Sequence, residues 1–163
     1  MSKAFQSFLL CSVLSVPFLG SSAAHAALII NNASSKCLDV KFNNTANGTP
    51  LRSVPCSATF GDQWRWIGLA IKGIGTGTSG AVGKCVDVAG GGTADGTLVQ
   101  LFDCNGTGAQ QWIYLNGQIN NQRSGKCLTG VVFPNYPSPT QAFIGTCLRF
   151  FDRNFRTQQW LIR

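Results

Sequence analysis

The chain of 163 residues offers little to covalent chemistry: six Asp, no Glu, and one His, at position 25. His25 lies within the expected leader (residues 1–26), so the remaining chain lacks the groups that Ser–His catalysis and most metal-assisted hydrolysis need. No Cys-x-x-Cys pair of the zinc-binding kind occurs either, so neither a metal nor a cofactor is expected. Two Asp can act as a glycosidase pair when they flank one bond. The candidates, Asp39 and Asp87, lie in matching phrases, Cys37-Leu38-Asp39-Val40 and Cys85-Val86-Asp87-Val88. Matching phrases belong to different structural units, which places the two carboxylates well apart, and no enzymatic activity is expected. What remains to these groups is hydrogen bonding: a carboxylate accepts, and Asn and Gln amides donate and accept.

The elements that must position these residues come in threes. Beyond Cys11, six cysteines remain, and six permit fifteen pairings. Cys37 to Cys56 is 19 positions, Cys85 to Cys104 is 19, and Cys127 to Cys147 is 20. The third pair follows the phrase Gly125-Lys126-Cys127-Leu128-Thr129-Gly130, parallel to the first two. A tryptophan closes each unit, in Asp62-Gln63-Trp64, Gln110-Gln111-Trp112 and Gln158-Gln159-Trp160, at intervals of 48 and 48. Three markers in one order establish an internal threefold repeat. If the units share one local structure, each bridges its own pair: Cys37–Cys56, Cys85–Cys104 and Cys127–Cys147. In the loop-closure model a bridge of this span is worth roughly 3 kcal/mol.

Within a unit the apolar residues form short clusters such as Leu28-Ile29-Ile30, Trp64-Arg65-Trp66-Ile67 and Leu98-Val99-Gln100-Leu101-Phe102. Alternation and β-branched or aromatic content predict strands. Turn formers separate them, including Asn47-Gly48, Gly90-Gly91-Gly92, Asp95-Gly96 and Asn116-Gly117. Three blades are too few to close a propeller. The expected fold is therefore all-β: a single β-trefoil of three repeats with pseudo-threefold symmetry, one disulfide in each.

Residues 1–26 read as an export signal, with Lys3, an apolar stretch from Phe8 to Leu19, and cleavage after Ala24-His25-Ala26. The trefoil domain is then residues 27–163, secreted to the periplasm or the exterior, and no later segment is long and apolar enough to span a membrane. Past residue 26, twelve Lys and Arg face six Asp, a net charge of about +6. The cations are scattered except for Arg149, Arg153, Arg156 and Arg163, which lacks the dense footprint of a nucleic-acid binder.

The Cys-Leu/Val-Asp-Val phrase, the Cys some 19 positions on and the closing Gln-x-Trp resemble the ricin B-type lectin family over essentially the whole exported portion. The resemblance implies a non-catalytic, carbohydrate-binding protein, with the closing tryptophans in the core. In that family the Cys-x-Asp carboxylate accepts sugar hydroxyls, and a ring two residues before the second Cys stacks on the sugar. A Gln lies two residues before the ring, and a polar pair precedes the closing Trp. Carried onto this chain, the second repeat fits best, with Asp87 as carboxylate, Gln100 as amide, Phe102 as ring and Gln110 as terminal polar group. Phe102 stands where Trp or Tyr is usual, and Ala109 replaces the expected Asn. The first repeat keeps Asp39 but has Arg52, Val54 and Asp62 at the other positions, which makes it a weaker candidate with a local Asp39–Arg52 ion pair. The third has Thr129 for Asp, and no lectin-type site is expected there. Glycans of the galactose type or plant polysaccharides are the partners implied.

The third repeat carries two further features. Val131 to Pro137 places Phe133 and Tyr136 in a loop that Pro134 and Pro137 stiffen, and Leu148 to Arg156 is an insertion in which Phe150, Phe151 and Phe155 are interleaved with Arg. Aromatics interleaved with Arg anchor protein interfaces. A second function class follows: a cell-binding or structural subunit of a multi-component secreted toxin, docking another secreted chain through this insertion. The alternative for these phenylalanines is to cover the base of the barrel.

Overall fold

In a computed structural model, residues 26–74, 83–130 and 141–163 are described. All but the last residue of the expected leader, and the Phe133/Tyr136 segment, lie outside them. The described residues form twelve short strands and no α-helix. The first repeat contains β1 (Ile29–Asn31), β2 (Cys37–Val40), β3 (Thr49–Val54) and β4 (Trp64–Ile67). The second contains β5 (Ala70–Gly73), β6 (Lys84–Val88), β7 (Val99–Asp103) and β8 (Trp112–Leu115). The third contains β9 (Gln118–Asn121), β10 (Cys127–Thr129), β11 (Phe143–Gly145) and β12 (Trp160–Ile162).

The pairing is threefold. Between repeats, β4 pairs with β5, β8 with β9 and β12 with β1, all antiparallel. Within repeats, β2–β3, β6–β7 and β10–β11 form hairpins. The hairpins meet one another through β3–β7 pairing and through the bridges Arg52↔Gln141 and Leu98↔Phe143. This is the expected β-trefoil. Each repeat is bridged by its own disulfide, with Cα–Cα distances of 5.0, 5.1 and 5.0 Å, inside the usual range for the bond.

The three tryptophans close the core as expected, and they do so by one repeated contact. Trp64, Trp112 and Trp160 are buried, and each Nε1–H donates at 2.9 Å to a backbone carbonyl of its own repeat: Leu38, Val86 and Leu128. That carbonyl belongs to the residue after the first cysteine, so the polar end of each indole is satisfied without leaving the core. Leu38, Leu51, Val86, Val88, Val99, Leu101, Leu128 and Ile144 point inward from the hairpins to the same cluster. Period-two alternation then sends their neighbours in sequence to the opposite face of each hairpin, where Asp39, Asp87 and Thr129 stand.

Candidate functional site

In the second repeat, β6 and β7 pair so that Asp87 is directly across from Gln100, and Cys85 across from Phe102. Residues opposite in an antiparallel pair share a face, as do residues two apart. Asp87, Gln100 and Phe102 therefore lie on one side of the hairpin, with Val86 and Leu101 buried on the other. Gln100 donates Nε2–H to Asp87 Oδ1 at 2.9 Å, and Gln110 donates to Asp87 Oδ2 at 3.1 Å. Gln110 comes from the short 3-10 turn Gly108–Gln110 that precedes Trp112, which is how a residue 23 positions away reaches the carboxylate.

Gln110 is almost fully buried, and its Oε1 accepts from Asn105 N–H at 2.8 Å while its amide also serves the Asp103 carbonyl at 2.8 Å. Its hydrogen bonds are thus directed inward. It positions Asp87 rather than presenting its amide to solvent. Phe102 is half-buried and is absent from the central core cluster, so the ring belongs to the site's side of the hairpin. With both oxygens held by amides, Asp87 keeps free lone pairs for hydroxyl donors. The turn Ala89–Gly91 lies against the turn that carries Gln110, and Gly90 and Gly91 adopt φ values of 60° and 63° there, which glycine does without strain.

A residue that sequence reasoning passed over also lies here. The Arg123 guanidinium packs against Gly91, 3.6 Å from where a Cβ on that glycine would be, and the Arg123 stem lies against Gly108. Arg123 is on the β9–β10 turn of the third repeat, so no motif within the second repeat announces it. The space left by two glycines was the one available signal.

The first repeat has the same frame with different occupants. Asp39 is across from Arg52 in the β2–β3 register, and Arg52 Nε donates to Asp39 Oδ1 at 3.0 Å. This is the expected ion pair, and it reproduces the bond from Gln100 to Asp87. Asp62 stands where Gln110 stands, and its Oδ2 accepts from Ser57 N–H at 2.8 Å, as Gln110 accepts from Asn105. A carboxylate cannot supply the second half of the Gln role. Among the described residues Asp62 Oδ1 is buried with no partner, and none of them gives Asp39 Oδ2 a bond corresponding to that of the Gln110 amide. Burial raises the Asp39 pKa above the ordinary carboxylate value, the Arg52 hydrogen bond and charge oppose the rise, and the Asp62 charge adds to it.

In the third repeat Gln158 occupies the Gln110 position, donating to Thr129 Oγ1 at 3.1 Å and accepting from Leu148 N–H at 2.7 Å. Phe143 is across from Thr129 and Gly145 across from Cys127, so this face lacks a carboxylate and a ring at the Phe102 position. The insertion after Cys147 is folded through turns closed by Asp152 N–H to the Arg149 carbonyl and Phe155 N–H to the Asp152 carbonyl. Phe150 packs edge-on against Phe151 and Phe155 at ring distances of 5.5 and 5.7 Å, yet Phe150 and Phe151 are 76% and 93% exposed. They do not cover the barrel. A separate cleft of about 430 Å³ beside Lys72 and the Cys85–Cys104 bridge touches Gln110 but not Asp87 or Phe102. Among the described residues no group of three His, Cys, Asp or Glu side chains could hold a metal.

A family model described as the ricin-type beta-trefoil lectin domain matches residues 25–160. No curated protein matches the chain by sequence. Among solved structures, a designed threefold-symmetric protein, ThreeFoil, aligns with a TM-score of 0.67 at 23% identity, covering 84% of this chain and 96% of that one. The agglutinin of Abrus precatorius aligns with a TM-score of 0.64 at 23% identity over 86% of this chain, which spans about half of the agglutinin chain (49%). The C-half of an earthworm R-type lectin, solved with GalNAc, aligns with a TM-score of 0.63 at 11% identity, covering 84% and 96%.

Proposed function

Because the chain belongs to the ricin-type β-trefoil lectin family, we propose that it is a secreted glycan-binding protein without catalytic activity, acting mainly through its second repeat. The observation that carries this reading is the Asp87 carboxylate, held by Gln100 and Gln110 on the face that also bears Phe102. Such a carboxylate accepts two hydroxyl protons of a pyranose while the ring covers its aliphatic face. The earthworm lectin was solved with GalNAc, and a bitter-gourd homologue of type II RIPs with α-methyl-galactoside, which supports galactose-type sugars as the first probes.

The test is a glycan array of the disulfide-bonded protein beside Asp87→Ala and Phe102→Ala variants of matched thermal stability. Loss of neutral-sugar binding in both is the expected result. Retention in both would remove the second repeat from the function. Phe102→Ala serves as the safeguard, since Asp87→Ala strands the buried Gln110 amide and can weaken the fold.

A second reading rests on the exposed Phe150 and Phe151. Flanked by Arg149, Arg153 and Arg156, all exposed, they suit a docking surface for another secreted chain, as in a multi-component toxin. Co-purification with a co-secreted chain, lost on Phe151→Asp, would support it; a solitary monomer with unchanged glycan binding would dismiss it.

A further inference from the structure

We propose that the first repeat holds a second pocket of different construction, which takes a carboxylate-bearing sugar unit such as a uronic acid. The groups missing from its usual positions are supplied from the opposite wall, the turn Lys41–Asn43. Phe42 is 76% exposed at φ 56°, and Asn43 follows at φ 53°. The corresponding residues of the second repeat are Gly90 and Gly91. Side chains rarely occupy this left-handed region, and a bulky aromatic there is a genuine outlier. The first repeat holds two side chains there in succession, one of them this aromatic, and both reach the site.

Asn43 enters space that Gly61 leaves open. A Cβ on Gly61 would be 2.1 Å from Asn43 Oδ1 and 2.8 Å from Asp39 Oδ2, so the carboxamide and the free side of the carboxylate converge over that glycine. The second repeat has Ala109 at this place, with Gly91 opposite. The Phe42 ring lies 4.9 Å from the Arg52 guanidinium and 5.6 Å from Lys41 Nζ. An aromatic platform with two cations is thereby assembled at the rim, and Val54, at the usual ring position, is not needed for it.

The chemistry of the wall selects the ligand. Arg52 uses Nε to orient Asp39, as Gln100 orients Asp87, and a guanidinium has four further N–H donors. Lys41 makes no ion pair among the described residues. Asp39 and Asp62 match these two cations in number, but both carboxylates are buried while Lys41 and Arg52 are only half-buried, so the cations are the charges that the accessible rim presents. A sugar carboxylate would be received by Arg52 and Lys41, its hydroxyls by Asp39 Oδ2 and Asn43, and its aliphatic face by Phe42. This pocket does not depend on the second repeat being active.

The experiment titrates methyl glucuronide and methyl galacturonide, with the uncharged methyl glucoside and galactoside as controls, into the disulfide-bonded protein by NMR. The variants are Phe42→Gly, Arg52→Gln and Asp87→Ala. At least one uronide is expected to bind the parent and Asp87→Ala alike, and about tenfold or more weaker in both Arg52→Gln and Phe42→Gly, as befits loss of a charged hydrogen bond or of the platform. Phe42→Gly is expected to melt no lower than the parent, since glycine suits that backbone. Failure of the parent to bind either uronide overturns the proposal. So does uronide binding that survives Phe42→Gly or Arg52→Gln, or that is lost in a folded Asp87→Ala.

Discussion

Gly61 and Asn43 form a complementary pair whose energetics can be separated. Adding a methyl at Gly61 drives it into Asn43 Oδ1 and Asp39 Oδ2, and overpacking of this kind costs about 1–3 kcal/mol. Gly61→Ala should therefore lower the unfolding midpoint in denaturant. Asn43→Gly at φ 53° relieves a left-handed residue, and combined with Gly61→Ala it recreates the Gly91/Ala109 arrangement of the second repeat. The double variant is expected to recover most of the loss, which a double-mutant cycle reads directly; additive losses would mean the two side chains do not compete for one space. Asp39 offers a second handle. Its raised pKa means that its contribution to stability is full below the ordinary carboxylate value and is lost as pH rises through the higher folded value. Arg52 opposes that rise, so Arg52→Gln should move the Asp39 midpoint upward in a ¹³Cγ titration. An unchanged midpoint would show that another group holds it.

At the scale of elements, each hairpin is fastened by one disulfide and one indole. Trp112→Phe deletes the Nε1–H bond to Val86 and leaves that buried carbonyl without its partner, at a cost of about 1–3 kcal/mol before any packing loss. Replacing Cys85 and Cys104 by Ala should cost roughly 3 kcal/mol through the freed loop. Thermal unfolding of each variant checks the values, and a neutral Trp112→Phe would mean that the carbonyl finds another donor. These fastenings were legible in the chain because they recur: a cysteine spacing and a closing tryptophan repeated three times need no knowledge of tertiary contacts. Asp87 and Gln100 were legible for the same reason, being set by a two-residue strand period. Arg123, Asn43 and Gly61 were not. Arg123 crosses from another repeat, and Asn43 meets Gly61 only because two turns 18 positions apart face each other. Gln110 was legible as the polar residue before the closing tryptophan, but the inward course of its hydrogen bonds was not, since they depend on the Asn105 and Asp103 backbone.

Across the whole molecule the repeats share a core and are also tied at their edges. Asn47 of the first repeat donates to Asp103 of the second at 2.6 Å, and Asp95 of the second accepts from Thr146 of the third at 2.9 Å. Lys84 and Lys126 complete these ties, and their hydrogen bonds hold the Asp103 and Asp95 pKa values below the ordinary carboxylate range. Such ties are present at neutral pH and fade as pH falls through the lowered values. The threefold frame therefore keeps the Asp39 and Asp87 faces in fixed relation, one on each of two symmetry-related hairpins. A rigid chain with two dissimilar pockets can bridge two glycans even when each pocket binds weakly, because the second contact is made at high effective concentration. Vesicles bearing both a neutral galactoside and a uronide should be clustered by the protein in monomeric form, as light scattering would record. Either Asp87→Ala or Phe42→Gly should abolish clustering while leaving the other sugar bound. Clustering that survives both substitutions together would place the glycan contacts elsewhere on the surface. Clustering by vesicles of one sugar alone would require a second copy of the same pocket, and hence an oligomer, which sedimentation would detect.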